Sequence, residues 1–244
     1  APSTDLLRPG GRGGDRPVIP RPENPLIVAL DTSDRGRFDA LATSLGPVSG
    51  MLKVGLEAYA AFGPEAIRAA ALHAPVFADL KLHDIPNTVE HAMDNLCRIG
   101  VAMVNVHALG GVEMMRAAMR GAERGCEGSG RPMPLVIAVT VLSSQAGEDL
   151  ASPASLAWEA REAGLHGVVV SGEDVREVRD VCGDAFCLVV PGIRPTGGNG
   201  DDQVRVLTPA AAIERGADYL VVGRPITGSA DPVGVARGIV LATR

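Results

Sequence analysis

The segment with the most chemistry in it is Asp79-Leu80-Lys81-Leu82-His83-Asp84, which runs on into Ile85-Pro86-Asn87-Thr88. Asp79 and Lys81 are two residues apart, so a regular strand would carry both on one face, about 6.6 Å apart along the chain. Phe77 would share that face and Leu80 would point away. Lys53 lies inside the apolar run GMLKVGL, and Asp31 closes PLIVALD. With Asp84 they make two lysines and three aspartates set in or beside apolar runs. Burying such groups is costly unless they are paired. Two outcomes are open: an ion-pair network that only fixes strand register, or a preformed array that holds a proton and meets charge developing in a reaction.

The elements that must position these residues show in the apolar rhythm. Eight short, β-branched runs recur at 25–31, 50–56, 75–81, 101–107, 135–141, 167–171, 185–192 and 219–225. Unbroken apolar runs suit strands buried on both faces of a parallel sheet. Between them lie stretches with Ala, Leu and Met at three- and four-residue spacing, as at 63–73, 87–100 and 111–123. Gly100 and Gly216 stand where helices should stop. The alternation predicts a single (β/α)8 barrel (the TIM barrel) over residues 25–244. An open doubly wound sheet usually shows a Gly-rich turn after its first strand, whereas here Asp31-Thr32-Ser33 follows it. Residues 1–24 are rich in Pro, Gly and Arg and are expected to form a flexible leader. They lack the apolar core of a secretory signal, and Asp5, Asp15 and Glu23 weaken a transit-peptide reading.

In a barrel the active site is built at the C-terminal strand ends. The polar residues expected there are Asp31, Lys53, Asp79, Lys81, His83, Asp84, Asn105, His107, Thr140, Ser143, Arg194 and Arg224. Composition narrows the function further. The 244 residues carry a formal charge of −6 and 3% aromatics, which speaks against a nucleic-acid-binding surface. No apolar run approaches the roughly 20 residues of a membrane span. Cys97, Cys126, Cys182 and Cys187 match neither a zinc nor a redox pair, read as buried thiols, and imply a reducing cytoplasm.

The segment DLKLHDIPNT resembles the signature of the orotidine 5′-phosphate decarboxylase family. VALD (28–31), LKVGLE (52–57), VNVHA (104–108), AVTVLSS (138–144), PGIRPTGGNGDDQ (191–203) and VVGRPIT (221–227) resemble the family's other blocks, in the family's order. The resemblance implies loss of CO2 from C6 of orotidine 5′-phosphate to give UMP in pyrimidine synthesis, with no cofactor and no metal. It implies that Lys81 donates the proton that replaces CO2, that Asp79 faces the substrate carboxylate, and that Lys53 anchors Asp79 and touches the ribose. Asp31 would bind a ribose hydroxyl. Asp84 would orient Lys81. In the family the loop carrying this aspartate and Thr88 crosses a homodimer interface, so both would serve the partner's site. Ser143 would contact the pyrimidine edge.

Phosphate binding follows a separate logic. Barrels often hold phosphate at the loops after the seventh and eighth strands. Gly223-Arg224 closes the eighth run, and Pro225 suits the start of a helix whose N–H groups and dipole would meet the anion. Arg224 adds a bidentate cation. Arg194 and Gln203 flank a Gly-rich stretch that could fold over a ligand. His107 is expected to brace the fourth strand and His83 to point away from Lys81. Trp158 and Met114-Met115 read as packing. Two rival readings remain. One is a metal-dependent phosphosugar lyase or synthase on the same barrel, with Asp31, Asp79 and Asp84 on Mg2+; such relatives tend to carry a carboxylate where this chain has Lys53. The other is a non-catalytic nucleotide-binding module.

Overall fold

The structure is a computed structural model that describes residues 21–141, 151–195 and 207–244. Its strands are β1 (Leu26–Ala29), β2 (Met51–Gly55), β3 (Val76–Leu82), β4 (Met103–His107), β5 (Leu135–Val139), β6 (Gly167–Val169), β7 (Cys187–Pro191) and β8 (Tyr219–Val222). The helices are α1 (Arg35–Leu45), α2 (Leu56–Phe62), α3 (Pro64–Ala71), α4 (Pro86–Ile99), α5 (Gly111–Ser129), α6 (Pro153–Glu162), α7 (Val175–Cys182), α8 (Pro209–Glu214), α9 (Arg224–Thr227) and α10 (Pro232–Leu241). All eight strands are parallel and close into a barrel in chain order, with β8 paired back onto β1. This is the (β/α)8 barrel the alternation predicts.

The two faces of each strand explain the unbroken apolar runs. Outward residues such as Val28, Val104, Val136 and Leu220 pack under the helices in one large core. Inward residues Ile27, Met51, Phe77, Met103, Leu135, Ile137, Cys187, Val189 and Tyr219 fill the cylinder itself. Each large side chain so buried contributes about 1.5–3 kcal/mol. Helix ends follow local chemistry. Asp34, Ser152, Thr208 and Asp231 cap α1, α6, α8 and α10 through their side chains. Gly100 stops α4 at φ +95°, which favours glycine.

The N-terminal end of the barrel carries a closed ion pair. Arg179 of α7 meets Asp218 Oδ2 at 2.7 Å, with 11% and 9% of the two side chains exposed. Its guanidinium also donates to the carbonyls of Gly216 (2.6 Å), Gly183 (2.8 Å) and Phe186 (2.7 Å). Asp218 Oδ2 in turn accepts from the Leu188 amide at 2.8 Å. One cation therefore ties α7, the turn before β7 and the approach to β8. Nearby chain entry is fixed too: Asn24 accepts from the Leu26 amide and donates to the Val48 carbonyl. Residues 1–20 of the expected leader lie outside the described residues.

Three details differ from the sequence reading. The eighth strand stops at Val222, because Arg224-Pro225 already opens α9. That helix has only four residues, too short for the dipole expected at its start. Trp158 is not packing: α6 buries Ala154, Leu156, Ala157 and Ala160, which turns the indole outward beneath the Arg161 guanidinium at 5.1 Å. Met114 and Met115 are buried, as are all four cysteines. Among the described residues no helix is long and apolar enough to cross a membrane.

Candidate active site

Four of the five singled-out charges form one chain at the C-terminal strand ends. Asp31 follows β1, and its Oδ1 lies 3.2 Å from Lys53 Nζ on β2. The same ammonium reaches Asp79 Oδ2 on β3 at 3.0 Å. Asp79 Oδ1 then takes Lys81 Nζ at 2.6 Å. Exposure grows toward both ends of this chain. The Lys53 and Asp79 side chains are 8% and 13% exposed, against 32% for Lys81 and 51% for Asp31. The centre of the array is thus dry and its ends are wet.

Burial alone would push the Lys53 ammonium down, yet Asp79 and Asp31 outweigh it and hold it above its ordinary value. Burial would likewise raise Asp79, but Lys53 and Lys81 prevail and hold it below the usual carboxylate range. Both groups are therefore charged at neutral pH. Gly55 makes room for them. It is two residues past Lys53 on the same inward face, and a Cβ there would stand 2.8 Å from Asp31 Oδ1 and 3.1 Å from Lys53 Nζ. Sequence reasoning passed over this glycine, although its spacing from Lys53 was the available signal.

The strand carrying Asp79 and Lys81 is not regular. From Ala78 to Leu82 β3 advances four residues while β4, from Val104 to Val106, advances two. Lys81 sits in the surplus, at φ +50°. It is the one non-glycine residue with positive φ among the described residues. Such a conformation costs on the order of 1–3 kcal/mol and persists only where its surroundings impose it. The same-face geometry expected of Asp79 and Lys81 is therefore corrected. Their charges meet across a bulge, not along a flat strand.

The sequence places Asn105 of β4 among the strand-end polar groups and gives it no distinct part. It is fully buried. Its Nδ2 donates to Asp79 Oδ1 at 2.7 Å, and its Oδ1 accepts from the Lys81 amide at 2.8 Å. Farther along β4, His107 is buried, and its Nδ1 finds no partner among the described residues. Burial, then His83 and Lys81, push its imidazole down. The exposed His83 ring stacks on it with centroids 5.4 Å apart. Thr140 is spoken for, since its hydroxyl donates to the Val169 carbonyl at 3.0 Å.

Asp84 stands apart from the array. Its Oδ1 accepts from the Ile85 amide at 2.7 Å, and no ion pair joins it to Lys81 among the described residues. The residues Asp84 to Thr88 are all exposed, Ile85 by 65%. The physical reason is that Pro86 opens α4 at once, which carries this segment outward from the mouth. Arg194 and Arg224 are exposed beyond the paired strands β7 and β8. The Arg194 amide donates to the Leu207 carbonyl at 3.3 Å, which ties together the two ends of the intervening stretch. Ser143 and Gln203 lie outside the described residues.

A family model described as the orotidine 5′-phosphate decarboxylase / HUMPS family matches residues 24–239. The orotidine 5′-phosphate decarboxylase of Moorella thermoacetica is 47% identical over 226 residues, covering 88% of this chain and 90% of its own. That of Nitratidesulfovibrio vulgaris is 47% identical over 224 residues, covering 88% and 95%. Among solved structures, the orotidine 5′-phosphate decarboxylase of Lactobacillus acidophilus superposes with a TM-score of 0.80 at 33% identity, covering 91% of this chain and 99% of its own.

Proposed function

The chain belongs to the orotidine 5′-phosphate decarboxylase / HUMPS family, and from that premise we propose how its charge array works on the substrate. It is a carboxy-lyase of pyrimidine biosynthesis, converting orotidine 5′-phosphate to UMP and CO2. The bond from C6 to the carboxylate breaks and leaves its electron pair at C6. That pair lies in the ring plane, where the ring carbonyls delocalise it poorly, so the barrier falls only if fixed charge meets it. Lys81 supplies that charge and then transfers a proton from Nζ to C6. Solvent reprotonates the resulting amine.

The observation that carries this reading is the continuous chain Asp31–Lys53–Asp79–Lys81. Asp79 faces the substrate carboxylate. Like charges at close range disfavour the bound ground state, and the repulsion ends as CO2 departs. Lys53 holds Asp79 ionised and, with Asp31, grips the ribose. Gly223, Arg224, Arg194 and Gln203 receive the phosphate, and Ser143 the pyrimidine edge. Remote phosphate binding thereby assists the chemistry at the ring.

The donor set speaks against a divalent metal between the carboxylates. Lys53 Nζ already stands 3.2 and 3.0 Å from Asp31 and Asp79, where such an ion would have to sit. Loss of orotidine 5′-phosphate absorbance in metal-free buffer with a chelator is the deciding assay. Turnover there supports the reading, and a strict Mg2+ requirement overturns it in favour of a metal-dependent phosphosugar enzyme. Tight UMP binding with no turnover would point to a nucleotide-binding module instead.

The working unit is a homodimer in the cytoplasm. The exposed segment from Asp84 to Thr88 reaches into the partner's site, where Asp84 orients the partner's lysine. Mixed dimers of Asp84→Ala and Lys53→Ala subunits should then regain activity that neither parent has. Verified mixed dimers without recovery would remove the shared site.

A further inference from the structure

The bulge in β3 poses a question that the charges alone do not answer: what holds Lys81 in a backbone conformation that lysine avoids? A backbone amide in a regular ladder finds a carbonyl of the neighbouring strand. Here the register has slipped, and the acceptor for the Lys81 amide is the side chain of Asn105 instead. The other end of that amide group donates to Asp79 Oδ1, the same oxygen that takes Lys81 Nζ. Its orientation is not ambiguous. A backbone N–H can meet only Oδ1, and an ionised carboxylate only Nδ2. The side chain is fully buried with both ends satisfied. It is thus a rigid bridge between the backbone of one catalytic residue and the carboxylate of the other.

We propose that Asn105 is a positioning residue for the decarboxylation: it holds the Lys81 backbone in its left-handed turn and sets the Asp79 carboxylate plane, so that the ammonium is aimed at the place where C6 must lie. The inference rests on Lys81 and Asp79 being the catalytic pair. Asn105 does not deliver a proton itself, because an amide has none to give at neutral pH. Neither an alanine nor a serine can span both contacts. An aspartate keeps the acceptor for the Lys81 amide, but ionised it presents a second carboxylate to Asp79 where a donor belongs. Protonated, its hydroxyl restores the donor.

The test uses the full chain and compares kcat, KM, UMP affinity and thermal melting for native protein, Asn105→Ala and Asn105→Asp. In Asn105→Ala we expect kcat to fall by about 10- to 100-fold, since small misplacements of catalytic groups have effects of this size. KM and UMP affinity should stay within about threefold, because the ribose and phosphate contacts are untouched. In Asn105→Asp, kcat relative to native should rise about tenfold as pH falls from 8 to 5 and the new carboxyl gains its proton. The groups facing that carboxyl are Asp79 and Lys81 on β3, Lys53 of β2 behind Asp79, His107 at the end of β4, and His83, which follows β3 and stacks on His107. From β5 it meets the apolar Ile137. Dividing by the native profile removes the titrations those groups share.

A folded Asn105→Ala protein with kcat within twofold of native overturns the proposal, as does melting loss without any loss of kcat. If alanine prevents folding, the near-isosteric aspartate decides: a flat ratio to native across the pH range overturns the proposal, and an acid-side recovery supports it. Lys81→Ala separates this from failure of the underlying reading. Retained turnover in Lys81→Ala removes the catalytic pair itself. Lost turnover there beside native kcat in Asn105→Ala removes the role of Asn105 alone.

Discussion

Two buried ion-pair systems stand at opposite ends of this barrel and are built on opposite terms. At the N-terminal end, the Arg179 guanidinium is surrounded by acceptors: Asp218 and the carbonyls of Gly216, Gly183 and Phe186. Backbone there is tied down by charge. At the C-terminal end, Lys81 Nζ has a single protein acceptor among the described residues, Asp79, though an ammonium can donate three hydrogen bonds. Its backbone is strained, its strand is out of register, and a third of its side chain is open to the mouth. The lower system is finished; the upper one is left short of partners among the described residues, as the proposed substrate site requires. Buried charge alone therefore does not mark an active site. Unspent donors and imposed strain do.

The comparison breaks most visibly at Lys81. Lys81→Ala should lower kcat by about 10⁴-fold or more, since it removes both a general acid and the main stabilising charge. Its melting temperature should fall only slightly, because the partly exposed ammonium is lost from Asp79 while Lys53 and Asn105 still hold that carboxylate. Steady-state kinetics beside calorimetry would check both halves, and near-native kcat would falsify the assignment. At the other end, Asp218→Ala should cost about 3–5 kcal/mol of stability by leaving the Arg179 guanidinium buried without its counter-charge. Denaturant unfolding measures that loss, while kcat at a permissive temperature should stay within about twofold. A large catalytic defect with native stability would erase the contrast.

Arg224→Ala sharpens it further. The hydrogen bonds to phosphate proposed for it would be worth about 1.5–3 kcal/mol, so KM for orotidine 5′-phosphate should rise about 10- to 100-fold. A substrate lacking the phosphate should be indifferent. Equal losses with both substrates would show that Arg224 supports the fold instead. The smallest effect is on pH. Asp79 is held below the usual carboxylate range, so its contribution to stability is fully present above that range and is lost as pH falls through the depressed value. Lys53 is held above its ordinary value, so its contribution is present below that value and lost as pH rises through the raised one. Melting temperature against pH should thus show native minus Asp79→Asn shrinking only in strong acid.

What the sequence could say about this molecule follows from how local each signal is. Strands with both faces buried leave unbroken apolar runs, so PLIVALD, VAMVNVH and the six others announce the barrel directly. Lys53, Asp79 and Lys81 stand out because charge inside such runs is rare. The slip between β3 and β4 leaves no mark, since VFADLKL reads as a flat strand and the extra residues appear only against the pairing of Val104 and Val106. For the same reason Asn105 looked like one more strand-end polar group. Its value depends on a neighbour 24 residues away in the chain. Arg179 and Asp218 escaped notice because each sits in an ordinary polar setting, and only closure of the barrel joins them.

The stopper of apolar side chains inside the cylinder, from Ile27 through Phe77 to Tyr219, has a consequence for the turnover cycle. It closes the array off from below, so that among the described residues the array opens to bulk water at the mouth. On the proposed mechanism, gas escaping from the ring and the hydron that recharges the amine share that mouth in turn. Traffic in this well is ordered in time because it cannot be separated in space.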